Sequence, residues 1–202
     1  LTVTELVREH FPLAQIHAGN VKQLKVAWTY DAGDARADGR SQIQCNPVVV
    51  DGVLYATSAG LKAFALDAGT GRELWRFDPF AAGAEESALG VNRGVVVWGD
   101  GKERRVLYSA GRYLFALDAR TGRLVSGFGK GGRVDLREGL GRDTAGLSVL
   151  SRTPGAVYRD LLVMGTLVHE GPGPSAPGHV RAYDVRTGAI RWTFHTIPKP
   201  GE

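Results

Sequence analysis

Cysteine and methionine are nearly missing: the 202 residues hold one of each, Cys45 and Met164. A single cysteine excludes an internal disulfide framework and any cysteine-built zinc site, and no C-x-x-C-H is present to attach a c-type haem. Long hydrophobic runs are missing too. No apolar stretch approaches the roughly 18 to 20 residues that span a bilayer as a helix. The first eleven residues carry Glu5, Arg8 and Glu9 and do not read as an export signal. Runs of like charge are absent. The 25 Lys and Arg against 21 Asp and Glu give a net charge of +4, and they are scattered. That pattern describes a solvated surface and excludes a nucleic-acid-binding tract. Helix signals are scarce: Thr4 to His10, with Thr4 as a cap, and one turn over Asn20 to Leu24. No βαβ unit with G-x-G-x-x-G appears, which excludes a nicotinamide-binding fold. Gly127 to Gly132 imitates a phosphate loop but lacks the closing Lys-Ser/Thr, and reads as a flexible insertion between units. With 43% apolar and 23% charged residues the chain has an ordinary globular composition, and its 28 glycines show no three-residue period.

What is present is a repeat. Ala65-Leu-Asp67-Ala-Gly-Thr70-Gly71, Ala116-Leu-Asp118-Ala-Arg-Thr121-Gly122 and Ala182-Tyr-Asp184-Val-Arg-Thr187-Gly188 share one frame, Ala-x-Asp-x-x-Thr-Gly. Trp75 and Trp192 follow the glycine by four residues in two copies; the middle copy has Ser126 there and Phe128 two residues on. Trp28-Thr-Tyr30 matches the tail of a further copy. The frame recurs from Asp67 to Asp118 to Asp184, intervals of 51 and 66 residues, close to or above the roughly 40 to 50 of a propeller blade. Short strand-like runs precede each Asp. The Asp carboxylate suits local backbone N–H groups, and the Gly suits positive φ. A tryptophan at one fixed place per unit suits a ring wedged between neighbouring units.

A second hairpin signal lies upstream of each frame. Pro47 to Ala56 holds Asp51-Gly52 between two apolar runs, Gly94 to Ser109 repeats the form with a longer loop, and Val157 to Met164 is the third. Each unit is therefore two successive hairpins, the four antiparallel strands of one β-propeller blade. The expected organisation is all-β: an outer strand within 12–30 and blades over 42–77, 92–128 and 148–194. Three blades do not close a ring, so the chain is expected to be the N-terminal part of one propeller domain, joined to the rest of the propeller chain.

At this point the residues resemble a family. The Ala-x-Asp-x-x-Thr-Gly-x-x-x-Trp frame is similar to the tryptophan-docking motif of quinoprotein dehydrogenases. These are eight-bladed propellers that bind pyrroloquinoline quinone and Ca²⁺. Asn20 to Tyr30 resembles the family's opening segment, and Asn92-Arg93-Gly94 with Trp98 resembles another signature. Gln42 to Pro47, Gly132 to Gly141 and Pro177 to Asp184 are similar to the glucose dehydrogenase branch. Ser87 and Ala88 stand where methanol-oxidising members carry adjacent cysteines. The resemblance implies oxidation of glucose, another aldose or an alcohol by hydride transfer to the calcium-bound quinone, with a quinone or cytochrome as electron acceptor. It implies a location in the periplasm or on the outer face of the inner membrane. It places the catalytic base beyond residue 202, so no catalytic residue is assigned in this chain, and the chain alone is expected to be inactive.

Four site residues follow from the resemblance. Arg93 is implied as a partner of a quinone carboxylate, which suits a permanently charged, fork-shaped guanidinium. Gln44 stands where methanol-type members use Glu against the quinone, and an amide both donates and accepts. Ser151 is implied as a hydroxyl contact to the cofactor. Glu170 is implied as a Ca²⁺ ligand, with His169 as its neighbour in an alternative alignment; calcium takes oxygen ligands. Trp28, Trp75 and Trp192 read as packing residues because they recur, and Asp67, Asp118 and Asp184 as turn formers. The five histidines lack metal-ligand spacing. The alternative reading is a non-catalytic propeller scaffold for assembly or sensing, because repeats define fold and not function.

Overall fold

The computed structural model describes residues 15–81, 90–169, 171–198 and 201. The expected helix at Thr4 to His10, the pair Ser87 and Ala88, and Glu170 lie outside them. Among the described residues, twelve strands form three four-stranded sheets, each in sequential antiparallel order. The first sheet contains β1 (Val48–Val50), β2 (Val53–Thr57), β3 (Ala63–Asp67) and β4 (Glu73–Phe77). The second contains β5 (Val96–Gly99), β6 (Arg104–Ala110), β7 (Tyr113–Asp118) and β8 (Arg133–Asp135). The third contains β9 (Ala156–Tyr158), β10 (Leu161–Gly165), β11 (Val180–Asp184) and β12 (Ile190–Phe194).

The sheets radiate. Between sheets, contacts among strands run through the first strands, β1 with β5 and β5 with β9. The space between sheets is filled by side chains. Tyr55, Ala65 and Trp75 of the first sheet pack with Val106, Phe115 and Leu117 of the second. Trp98, Leu107 and Leu114 of the second pack with Leu162, Met164 and Tyr183 of the third. This is the packing of adjacent propeller blades, as the repeat required.

The repeated frame forms the turn between the third and fourth strands. Asp67 Oδ1 accepts the Thr70 amide at 2.8 Å and its hydroxyl at 2.7 Å. Asp118 holds Thr121 in the same way at 2.8 Å for both. Asp184 accepts the Arg186 and Thr187 amides at 2.9 Å each. In the first two frames the glycine that closes the turn is the seat of a tryptophan from the preceding unit. Gly71 has φ +73° and Gly122 φ +69°. A Cβ on Gly71 would stand 2.5 Å from the Trp28 ring, and one on Gly122 2.6 Å from the Trp75 ring. Each indole N–H caps the turn: Trp28 Nε1 donates to Ala68 O at 3.1 Å and Trp75 Nε1 to Ala119 O at 2.9 Å. The glycine thus supplies both the left-handed backbone and the clearance for the ring.

Two elements differ from expectation. Residues 12–30 contain no strand among the described residues. Val21–Gln23 form one 3₁₀ turn, and the chain around Trp28 belongs to no regular element. The second blade does not end at Phe128. Leu124 makes only an isolated bridge to Leu117, and the outer strand is Arg133–Asp135, which pairs with Tyr113–Phe115. The glycine-rich segment between them is anchored, not a loose insertion: Phe128 is fully buried, and Gly129 N donates to Thr187 O at 2.8 Å.

Candidate functional site

The segments leading into β1, β5 and β9 lie side by side. Asn46 N donates to Arg93 O at 3.1 Å, and Arg93 N donates to Arg152 O at 2.8 Å. Asn46 and Gly94 form a parallel bridge. This line brings Gln44, Arg93 and Ser151 to one end of the three blades, although they are far apart in sequence.

The Asn92-Arg93-Gly94 triplet has a definite geometry. Asn92 is 2% exposed. Its Oδ1 accepts the Gly94 amide at 2.8 Å, an Asx-type turn with Arg93 at the apex. Gly94 has φ +147°, and a Cβ there would come within 3.1 Å of Asn46 O. Only glycine lets the neighbouring backbone approach this closely. Arg93 is thereby thrust outward. It is exposed, and among the described residues its guanidinium has no hydrogen-bond or ion-pair partner. Many other arginines are paired: Arg104 with Asp51, Arg105 with Glu103, Arg137 with Asp135 and Arg186 with Asp100. An unneutralised guanidinium on a main chain held by two neighbouring segments is a ready anion-binding group.

The other expected site residues are placed as follows. Gln44 is exposed, and its amide donates to Gln42 Oε1 at 2.9 Å. Ser151 is 5% exposed, and its hydroxyl donates to Thr153 O at 3.2 Å, leaving its oxygen lone pairs as acceptors. Glu170 is outside the described residues, but the segment before it runs beside Ser151, since Leu167 N donates to Leu150 O at 2.8 Å. His169 is exposed; its Nδ1 accepts the Gly171 amide at 3.0 Å. Among the described residues no group of three or more His, Cys, Asp or Glu is placed to hold a metal ion.

Sequence reasoning missed the layer behind these residues. Thr57 N donates to Cys45 Sγ at 3.2 Å, and Thr57 Oγ1 donates to Asn92 Oδ1 at 3.1 Å. Asn92 Nδ2 donates to Ser109 O at 2.9 Å, and Ser109 Oγ donates to Ser151 O at 2.8 Å. A continuous polar chain therefore crosses all three blades beneath Arg93. Asn two residues before Gly was a signal for the turn. Thr57 and Ser109 sit at strand ends with no pattern to mark them.

Comparison with known proteins decides the family. Residues 3–202 match the model of the PQQ glucose/ethanol/alcohol dehydrogenase β-propeller domain. The chain belongs to this family. Quinohemoprotein alcohol dehydrogenase ADH IIB of Pseudomonas putida is 33% identical over 192 residues, covering 93% of this chain and 24% of that protein. Quinoprotein glucose dehydrogenase A of Acinetobacter calcoaceticus is 31% identical over 209 residues, covering 92% of this chain and 26% of that protein. The crystal structure of the quinohemoprotein alcohol dehydrogenase from Comamonas testosteroni superposes with a TM-score of 0.68 at 29% identity, covering 94% of this chain and 26% of that one. The chain thus spans about a quarter of the length of the relatives it matches. Alcohol-type and glucose-type members of the PQQ family match at nearly equal identity, so identity does not separate those two substrate classes.

Proposed function

We propose that the chain is one arc of the quinone-binding mouth of a PQQ-dependent dehydrogenase that oxidises an aldose, glucose first among them, or another alcohol. The reading includes a ring of eight blades, transfer of electrons to a quinone or cytochrome acceptor, and a location on the periplasmic side of the inner membrane. The observation that carries it is Arg93: its backbone is bonded to the segments leading into the first and third blades, and its exposed guanidinium has no acidic partner among the described residues. Pyrroloquinoline quinone carries three carboxylates, and this donor set fits it. The bound quinone supplies the two-electron acceptor for the hydride that leaves the substrate carbon. Arg93 binds and orients a carboxylate by charge-assisted hydrogen bonds. Gln44 offers an amide N–H and a carbonyl at the same end, and Ser151 would serve as a donor by turning its hydroxyl from Thr153 O to the cofactor. Glu170 is assigned as a carboxylate ligand of a Ca²⁺ beside the quinone, the chemistry calcium prefers.

The test uses the full-length protein reconstituted with quinone and Ca²⁺, assayed with an artificial dye acceptor against a panel of aldoses and primary alcohols. Dye reduction that depends on quinone, with an aldose among the best substrates, is the expected result. Turnover of alcohols alone overturns the aldose assignment. No turnover across the panel, together with no retained quinone absorbance, restores the scaffold reading.

A further inference from the structure

We infer that Asn92 is a positioning residue for the anion-binding arginine, acting through Arg93 and not on the ligand itself. The inference rests on the assignment of Arg93 to a quinone carboxylate. Asn92 is buried, so it is not offered to a ligand. Its carboxamide makes three hydrogen bonds, all to protein. Oδ1 accepts from Gly94 N at 2.8 Å and from Thr57 Oγ1 at 3.1 Å, while Nδ2 donates to Ser109 O at 2.9 Å. The first bond closes the turn over Arg93, and the other two tie that turn to the second strands of the first and second blades. The Arg93 main chain is gripped from both sides by Asn46 and Arg152. A long flexible side chain gains binding strength when its root is fixed, because less freedom is lost on binding. The exposed arginine therefore draws on a buried amide that touches only protein. Ser109 Oγ extends the clamp to Ser151 O at 2.8 Å, so the same chain sets the position of the third blade's lead-in.

The experiment is a double-mutant cycle read as equilibrium affinity for pyrroloquinoline quinone, by titration of the full-length protein lacking cofactor, in the presence of Ca²⁺. Arg93→Ala is expected to weaken binding about ten- to a hundredfold, the size of a lost charge-assisted contact. Asn92→Ala is expected to weaken it about tenfold. The double variant is expected to bind no more weakly than Arg93→Ala alone, because Asn92 has nothing left to position. A residue that only supports the fold would give losses that multiply, and that result overturns the inference. Unchanged affinity in Asn92→Ala overturns it as well. If Arg93→Ala itself binds normally, the carboxylate assignment fails and takes the inference with it. Thr57→Val removes one bond to the clamp while keeping side-chain volume. Should Asn92→Ala not fold, a cycle of Thr57→Val with Arg93→Ala decides by the same rule, with a loss of a few-fold expected only while Arg93 is present.

Discussion

Arg105 takes over the work of a missing tryptophan. In the first two repeats an indole N–H caps the carbonyl after the turn aspartate, Ala68 O and Ala119 O. The third repeat has no such indole, because the preceding blade carries Ser126 at the tryptophan position. Arg105 Nη1 instead donates to Val185 O at 3.0 Å and to Arg186 O at 2.6 Å. Val134 fills the ring's place: a Cβ on Gly188 would meet its Cγ2 at 2.6 Å, with Phe128 Cδ2 at 3.4 Å. Phe128 was visible as an aromatic two residues after Ser126, but its seat beside Gly188 was not. Nor was the role of Arg105, which acts across 80 residues from the start of a strand. Arg105→Met keeps the apolar stem and removes the donors. It should cost about 2 to 3 kcal/mol, the range for hydrogen bonds to a charged group at a buried site, measured by denaturant unfolding. No change in the unfolding midpoint would show that the carbonyls need no cap.

At the scale of the element, the repeat turn was read correctly because every residue in it has a local reason. The aspartates accept nearby N–H groups, and the glycines adopt positive φ. Steric seating gives a graded prediction. Gly52 has φ +76° and open space where a Cβ would stand, with nothing within 4 Å, whereas Gly122 has a similar φ and the Trp75 ring at 2.6 Å. Gly52→Ala should cost about 1 to 2 kcal/mol, the penalty for a left-handed non-glycine residue, and Gly122→Ala clearly more, because the indole must also shift. Equal losses in thermal unfolding would contradict the docking. The blade-joining turn at Asp100 adds a pH dependence. Backbone N–H groups of Glu103 and Lys102, then the Arg186 guanidinium, hold the Asp100 carboxyl well below the ordinary carboxylate range. A carboxyl lowered in the folded state stabilises above its unfolded value, about 3.9, and that contribution is lost as pH falls through the folded value. Asp100→Asn should therefore flatten the acid limb of stability against pH while changing little of its shape near neutrality. An unaltered acid limb would count against this linkage. β8 was illegible for a related reason. The sequence ended the second blade at Phe128, but the glycines that follow let the chain fold over and bring Arg133 onto the Tyr113 ring, 4.4 Å from its centroid.

At the scale of the whole molecule, two cores lie between the three blades among the described residues, and aromatic side chains of the third blade's last strand stand exposed. Trp75 is 8% exposed between blades, whereas Trp192, at the same place in its repeat, is 43% exposed and Phe194 62%. The proposed ring gives Trp192 a fourth turn to cap. The fold could be read in advance because it is written in a repeated local pattern. The site could not be read so fully, because its support is built from single residues that meet across blades: Thr57, Asn92, Ser109 and Ser151 gain meaning only when the sheets are stacked. The proposed site stands or falls with Arg93 meeting an anionic cofactor. The most direct measurement is the dissociation constant of pyrroloquinoline quinone from the full-length protein and its Arg93→Lys variant, which keeps the charge but loses the fork. Measurable binding is expected, weakening about tenfold or more in the variant and further as salt rises. Equal affinity in the two proteins, or no binding by either, would contradict it.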